Sequence, residues 1–307
     1  VGPVAAAAAT AFVVTEHELT SLIWEHLPTR LGFSEVPWWW AVAMLSVGAL
    51  LTALALGLPG HGGHSPLDGF AFDVGPRVAV SAVAAALASL SFGAVLGPEA
   101  PALAIGTATG FVVAGIGKVD PSRLDGHRRL LMMAGGMAAF GAVLGNPIAL
   151  AVFILEAALV ARRTAGAPLA LAPVALALAT GYLVQVGVGQ WAGLGEVVLA
   201  LPTAPAYPTV LAADILVAVP LAVAVAVIIH VAFLGGGRMA HAMVRRPRVL
   251  LLVLSAWGIA GLALMARALV DAPLNQVLFS GQATVGGVLT ATSASSLLVV
   301  VIAKSLA

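Results

Sequence analysis

Cysteine is absent from this chain of 307 residues. That absence excludes disulfides, thiolate chemistry and Cys-based zinc sites, and leaves the redox compartment unread. Charge is almost as scarce. Asp, Glu, Lys and Arg make up 9% of the residues, against roughly 25% in a soluble domain. The 14 basic and 13 acidic side chains are too few to cover a water-soluble fold of this length. The net charge of +1 gives no electrostatic reason to expect nucleic acid or a strongly acidic partner. The His-Glu-x-x-His signature of metalloproteases is missing, and no Ser/His/Asp set stands in the apolar stretches, so an intramembrane enzyme is disfavoured. The chain opens at Val1 without Met or a basic leader, and closes at Ala307 in an apolar run just after Lys304. Both ends read as cut, and no signal peptide is visible.

What is present is apolar: 61% of the residues are hydrophobic. A spanning helix needs about 17–25 apolar residues. Stretches free of Asp, Glu, Lys and Arg cover Val36–Leu67, Val78–Pro98, Ala100–Gly117, Leu130–Leu155, Thr164–Gly195, Ile215–Gly237, Val249–Ala266 and Ala272–Ala303. The longest are broken by Gly and Pro and divide in two, giving about nine to eleven helical pieces, with a partial one at Val1–Thr15. The reading is an all-α polytopic membrane protein whose solvent is the bilayer. The Ala, Gly and Val richness would let helices approach closely in lipid, although a GC-rich genome would give the same composition.

The charges set an orientation. Lys118, Arg123, Arg128 and Arg129 fall in one loop, Arg162 and Arg163 in the next, and Arg238, Arg245, Arg246 and Arg248 in a third. The positive-inside rule places these on the cytoplasmic side. Glu16–Glu35 and Gly181–Asp214 hold a single basic residue, Arg30, and read as external. Trp38, Trp39 and Trp40 suit either an interfacial aromatic belt or a packed cluster.

Polar residues inside apolar stretches carry the functional signal. Leu96–Gly97–Pro98–Glu99–Ala100–Pro101 sets a lone carboxylate between two charge-free stretches. Such a group at mid-membrane costs several kcal/mol unless paired, hydrated or protonated. Pro101 suits the first turn of a helix, where a missing N–H is harmless. Glu99 would then stand at the helix start among free N–H groups and the positive dipole end, a place that binds anions. There it would compete with a passing anion, and protonation would release the site. The competing reading is a capping glutamate that only satisfies orphan N–H groups. His61–Gly62–Gly63–His64–Ser65–Pro66 offers backbone N–H groups and a hydroxyl at a second helix start. His61, His64 and Asp68 have metal-like spacing, but Gly62, Gly63 and Pro66 oppose the helical phase that would converge them. No metal is assigned. Glu156 ends Asn146–Glu156 close to Arg162, and suits a proton station, an aqueous entry or a plain interfacial carboxylate. Gly281–Gly287 reads as a re-entrant turn or short loop.

In this order and spacing the segments resemble the CLC family of chloride channels and proton/chloride exchangers. Gly62–Pro66 stands where that family has Gly-Ser-Gly-Ile-Pro. Gly97–Pro101 matches its Gly-Lys/Arg-Glu-Gly-Pro, and Asn146–Glu156 its Asn-Ala-Pro-Leu-Ala-Gly-x-x-Phe-x-x-Glu. Val277–Lys304 is similar to its later Phe-Ser-Gly loop and following helix. The resemblance implies an inverted-repeat bundle with broken and re-entrant helices, a single transmembrane domain over 1–307. The first repeat would cover about 1–200 and the start of the second about 208–307. It implies that Glu99 is a gating glutamate, that Gly62, Gly63, His64, Ser65, Pro66, Gly97, Ala100 and Pro101 help hold an anion, and that Glu156 borders a proton path or cytoplasmic entry. It further implies a homodimer with one pore per subunit in a lipid bilayer, chloride as substrate and no cofactor. A prokaryotic plasma membrane is the expected location.

Departures from the pattern bear on mechanism. Pro98 replaces the basic residue and Ala100 the second Gly, and Gly63 stands at the serine position. Ala157 stands where the exchangers carry their internal proton glutamate, which favours a channel or another proton route. The family's Gly-x-Phe-x-Pro segment and pore tyrosine would lie past Ala307. The alternative reading is a secondary transporter or proton-coupled exchanger for another small anion.

Overall fold

The computed structural model describes residues 1–61, 74–116, 124–145, 152, 171–188, 209, 211–243, 247–281 and 293–307. Helix is the only regular structure among these residues, as lipid requires of a chain that does not close a barrel. Ten helices are named here. They are α1 (Gly2–Ser21), α2 (Trp38–Ala55), α3 (Pro76–Leu90), α4 (Glu99–Ile116), α5 (Leu124–Leu144), α6 (Leu171–Val188), α7 (Asp214–Met243), α8 (Arg248–Val270), α9 (Leu274–Val277) and α10 (Ala294–Leu306). The helices α2, α4, α8 and the Asp214–Arg238 part of α7 are long and apolar enough to cross a bilayer, while α3, α6 and α10 are shorter apolar helices.

Most boundaries follow the charge-free stretches, and local chemistry explains them. Pro37 and Pro247 stand just before α2 and α8, where a ring locked near helical φ and lacking an N–H does no harm. Pro76 opens α3 at its first position. Asp271, left-handed at φ 54°, ends α8 in the manner of an αL cap. Two expectations change: Arg128 and Arg129, read as loop residues, lie in α5 and Arg238 lies in α7, and the first helix is longer than its charge-free start. The first helix does not stop near Thr15 but passes through a π-helical turn, Leu22–His26, and a last turn, Leu27–Arg30. The acidic stretch that follows Thr15 is therefore largely helical.

The helices group into two compact units. The first joins 1–37, 51–92 and 96–200; the second joins 38–50, 93–95 and 201–307. In the first unit α4 packs chiefly on α5, α5 on α6, and α1 lies against α4, α5 and α6. The contacts are made by the smallest residues. A Cβ added at Gly106 would strike the Gly135 carbonyl and the Ala139 methyl, and one at Gly135 would strike the Gly106 carbonyl. One turn further along α4, Gly110 meets the Leu131 backbone, so the two helices run antiparallel in direct main-chain contact. At the next crossing Gly141 faces the Leu178 carbonyl and Gly181 faces Ala138. Around these points Ala5, Ala134, Ala138 and Ala177 form one buried cluster, and Ala9, Ala102, Ala139 and Val143 another. Lipid tails are as apolar as leucine, so helices in a bilayer gain little from hydrophobic burial and depend on close packing. The glycine and alanine content therefore has a packing use.

In the second unit α8 packs on α9 and α10, with a lesser contact between α7 and α10. Ala256, Ala260, Ala263 and Ala266 line the buried face of α8, and the Trp257 indole donates to Ser46 Oγ in α2 at 2.9 Å. No residue of the apolar span in α7 is buried, which a water-exposed helix could not tolerate and a lipid-facing one can.

Two glycines of α4 give opposite expectations. Gly115 has open space where its Cβ would lie, so Gly115→Ala is neutral or stabilises by up to about 1 kcal/mol through helix propensity. Gly106→Ala forces main chains apart and destabilises by about 1–3 kcal/mol. Thermal unfolding of the two purified variants in detergent reads the difference.

Candidate functional site

The site is built around the interruption between α3 and α4. Helix α3 ends at Leu90 and α4 begins at Glu99, with turns and bends between them. A chain leaving a helix exposes carbonyls that need donors. At this end the Trp24 indole N–H, from the π turn after α1, donates to the Ser91 carbonyl at 3.1 Å in a buried setting. The Ser91 hydroxyl reaches back to the Glu16 carbonyl at 3.5 Å. The first helix thus fixes where α3 stops. Within the second unit the Phe279 N–H donates to the Gly93 carbonyl at 3.4 Å.

Glu99 occupies the first position of α4. The Pro98 carbonyl accepts the first helical bond, from Ala102 N at 3.0 Å. The sequence had placed Pro101 in the first turn and Glu99 at the helix start, and that is where both stand. Since Pro101 has no N–H and Ala102 is already bonded, the amides of Glu99 and Ala100 are the donors left at this terminus. Pro98 and Pro101 are buried, Glu99 is half-buried and Ala100 is exposed. The Glu99 carboxylate folds back over Gly97: a Cβ built there would overlap Oε2 and crowd Cδ and Oε1. The absent side chain at Gly97 is the space the carboxylate uses.

An acid in this place meets the positive end of α4, and a small anion would seek the same region. A carboxylate and a small anion therefore share the same electrostatic preference for this helix start.

The other predicted residues divide by location. Gly97, Glu99, Ala100 and Pro101 are brought together at the α4 terminus. Gly62, Gly63, His64, Ser65, Pro66 and Glu156 lie outside the described residues, as do Asp68, Ala157 and all of Gly281–Gly287 except Gly281. His61 is described, with φ 51° and its Nδ1 3.4 Å from the Leu56 carbonyl. Among the described residues no group of three His, Cys, Asp or Glu side chains could hold a metal ion.

Three polar residues not singled out from the sequence have defined places. Trp24 and Ser91 frame the interruption, as above. Gln185 in α6 is buried, with its amide against Gly145 at the end of α5. The one available signal was a single carboxamide in an otherwise apolar helix, and a lone polar residue in an apolar segment warrants a search for its partner.

No curated protein matches the chain. A family model described as voltage gated chloride channel matches residues 60–307, from the end of the segment after α2 through α10. This range contains the interruption, Glu99 and each of the segments whose order suggested the resemblance. The match covers well over half of the sequence, and with the helical, apolar architecture it shows that this chain belongs to the voltage gated chloride channel family and is an integral membrane protein.

Proposed function

We propose that the protein moves chloride or a similar small anion across the membrane along a path that Glu99 gates. The observation that carries this reading is the position of a half-buried carboxylate on the first residue of α4, folded over Gly97. In that position it stands at the helix start to which an anion would otherwise be drawn. Deprotonated, the side chain blocks the helix start. Protonated, it loses its attraction to the positive helix end and leaves the place open.

The segment Gly62–Pro66 is proposed to help hold the anion, and Glu156 to border a cytoplasmic entry or proton route, both from their match to the family pattern. With Ala157 in the position of the exchangers' proton glutamate, a channel is favoured over coupled exchange. The working unit is proposed to be a homodimer with one pore in each subunit, in a prokaryotic plasma membrane, with no cofactor and no catalytic activity.

Flux of chloride in proteoliposomes holding the full-length protein tests the gate. In the wild type, flux rises as pH falls, because protonation removes the competing charge. In Glu99→Gln the dependence flattens, and flux at neutral pH rises by about two- to fivefold, the worth of a charge at a helix terminus of about 0.3–1 kcal/mol. A folded mutant whose flux keeps the wild-type pH profile would remove Glu99 from the mechanism.

Gly97→Ala gives a second, independent readout. Its methyl group takes the space of the carboxylate, so Glu99 is displaced although it is still present. The expected result is higher flux at neutral pH with a shallower pH dependence than wild type, intermediate between wild type and Glu99→Gln. Nitrate and small carboxylates in the same assay separate a chloride path from a broader anion transporter.

A further inference from the structure

Lys304 lies in the last turn of α10, and its ammonium group reaches four consecutive main-chain carbonyls of a segment far back in the sequence. Nζ is 3.3 Å from the Gln276 oxygen, 3.4 Å from Val277, 3.4 Å from Leu278 and 3.1 Å from Phe279. The last carbonyls of a helix lack intrahelical donors and commonly meet a lysine, but here the set runs past the helix end to Leu278 and Phe279. The oxygens converge because α9 ends at Val277, Leu278 is extended at ψ 164°, and Phe279 turns into the left-handed region at φ 64°. A left-handed non-glycine residue is strained and persists only where its surroundings hold it. Val277 and Leu278 are fully buried, so water does not reach that part of the chain freely.

We infer that residues Gln276–Phe279 form a cation-binding cage of main-chain carbonyls, and that Lys304 is its tethered ligand. An ammonium group has three N–H donors and here faces four acceptors, so one hydrogen is shared. Rings of main-chain carbonyls take the place of the hydration shell of a small monovalent cation, and the Lys304 head group plays that part for a cation already attached to the protein. Its role is positional. It fixes the Phe279 turn, whose N–H is the donor to Gly93, and it balances the carbonyl dipoles at the end of α9. Emptied of its own lysine, the cage accepts a free ammonium ion.

This assignment stands apart from the reading of Glu99, since the test measures stability and no anion flux. Wild type, Lys304→Ala and Lys304→Met are purified in detergent, and their unfolding is followed by tryptophan fluorescence in sodium, ammonium, methylammonium and tetramethylammonium chloride at equal ionic strength. A group tethered by a short linker acts at an effective concentration in the millimolar range, so tens to hundreds of millimolar free cation is the relevant span. In sodium, both variants lose about 5–10 °C in Tm. Ammonium restores at least half of the loss, methylammonium restores part of it, tetramethylammonium restores none, and the wild type melts alike in all four salts. Variants that melt identically in sodium and ammonium, or a wild type that gains as much from ammonium as they do, would overturn the cage. If neither variant is recovered folded from sodium buffers, folded protein obtained only when ammonium is present throughout supports the inference, and failure in both salts overturns it.

Discussion

The contact between the α4 and α5 main chains at Gly106 and Gly135 is the constraint on which the first unit depends. In water a loose crossing would still be held by apolar burial. In lipid it would not, because the tails solvate an exposed leucine as well as another helix does. What remains is dispersion, which is small for each atom pair and falls off within an ångström of optimal distance. Glycine at both sides of the crossing brings carbonyls and α-carbons into contact. A short distance toward the start of α4, the buried Ala102 and Leu103 continue that packing up to Pro101. The helix start that carries Glu99 is thus fixed by main-chain contact along the rest of the helix.

The interruption before α4 has constraints of its own. Proline on both sides of Glu99 limits the conformations the turn can take, and Trp24 supplies a donor to the carbonyl that the end of α3 leaves open. Where a helix break faces lipid, each unsatisfied carbonyl costs several kcal/mol. A break that serves as a site therefore needs its own set of partners. These partners come from distant parts of the sequence, which explains why the break itself was visible in the sequence and its support was not.

Much of the fold was legible because lipid imposes a simple rule. Stretches without charge became α2, α3, α4, α6, α7, α8 and α10, and the one carboxylate between two of them marked the start of α4. Gly97, Glu99 and Pro101 were readable together because each has a separate reason to stand at a helix terminus. Other features did not leave such a mark. The continuation of the first helix to Arg30 was hidden by Glu16, His17, Glu18 and Glu25, which look like a loop when charge alone is counted. The packing role of glycine was hidden by its abundance: Gly106 and Gly115 have the same local setting in the sequence, and only the neighbouring helix tells them apart. The partners of Lys304 left no mark in the sequence because the carbonyls it meets belong to a segment with no charge of its own.

The indole of Trp24 and the carbonyl of Ser91 are separated by 67 positions, and the donor belongs to the part of the chain made first. The donor is therefore synthesised before the carbonyl that it meets. Closing such a span has an entropic cost that grows only slowly with length. The end of α3 is therefore settled by a residue lying upstream of the family-matched range, and a grafted transport domain that began at residue 60 would leave that terminus without its donor.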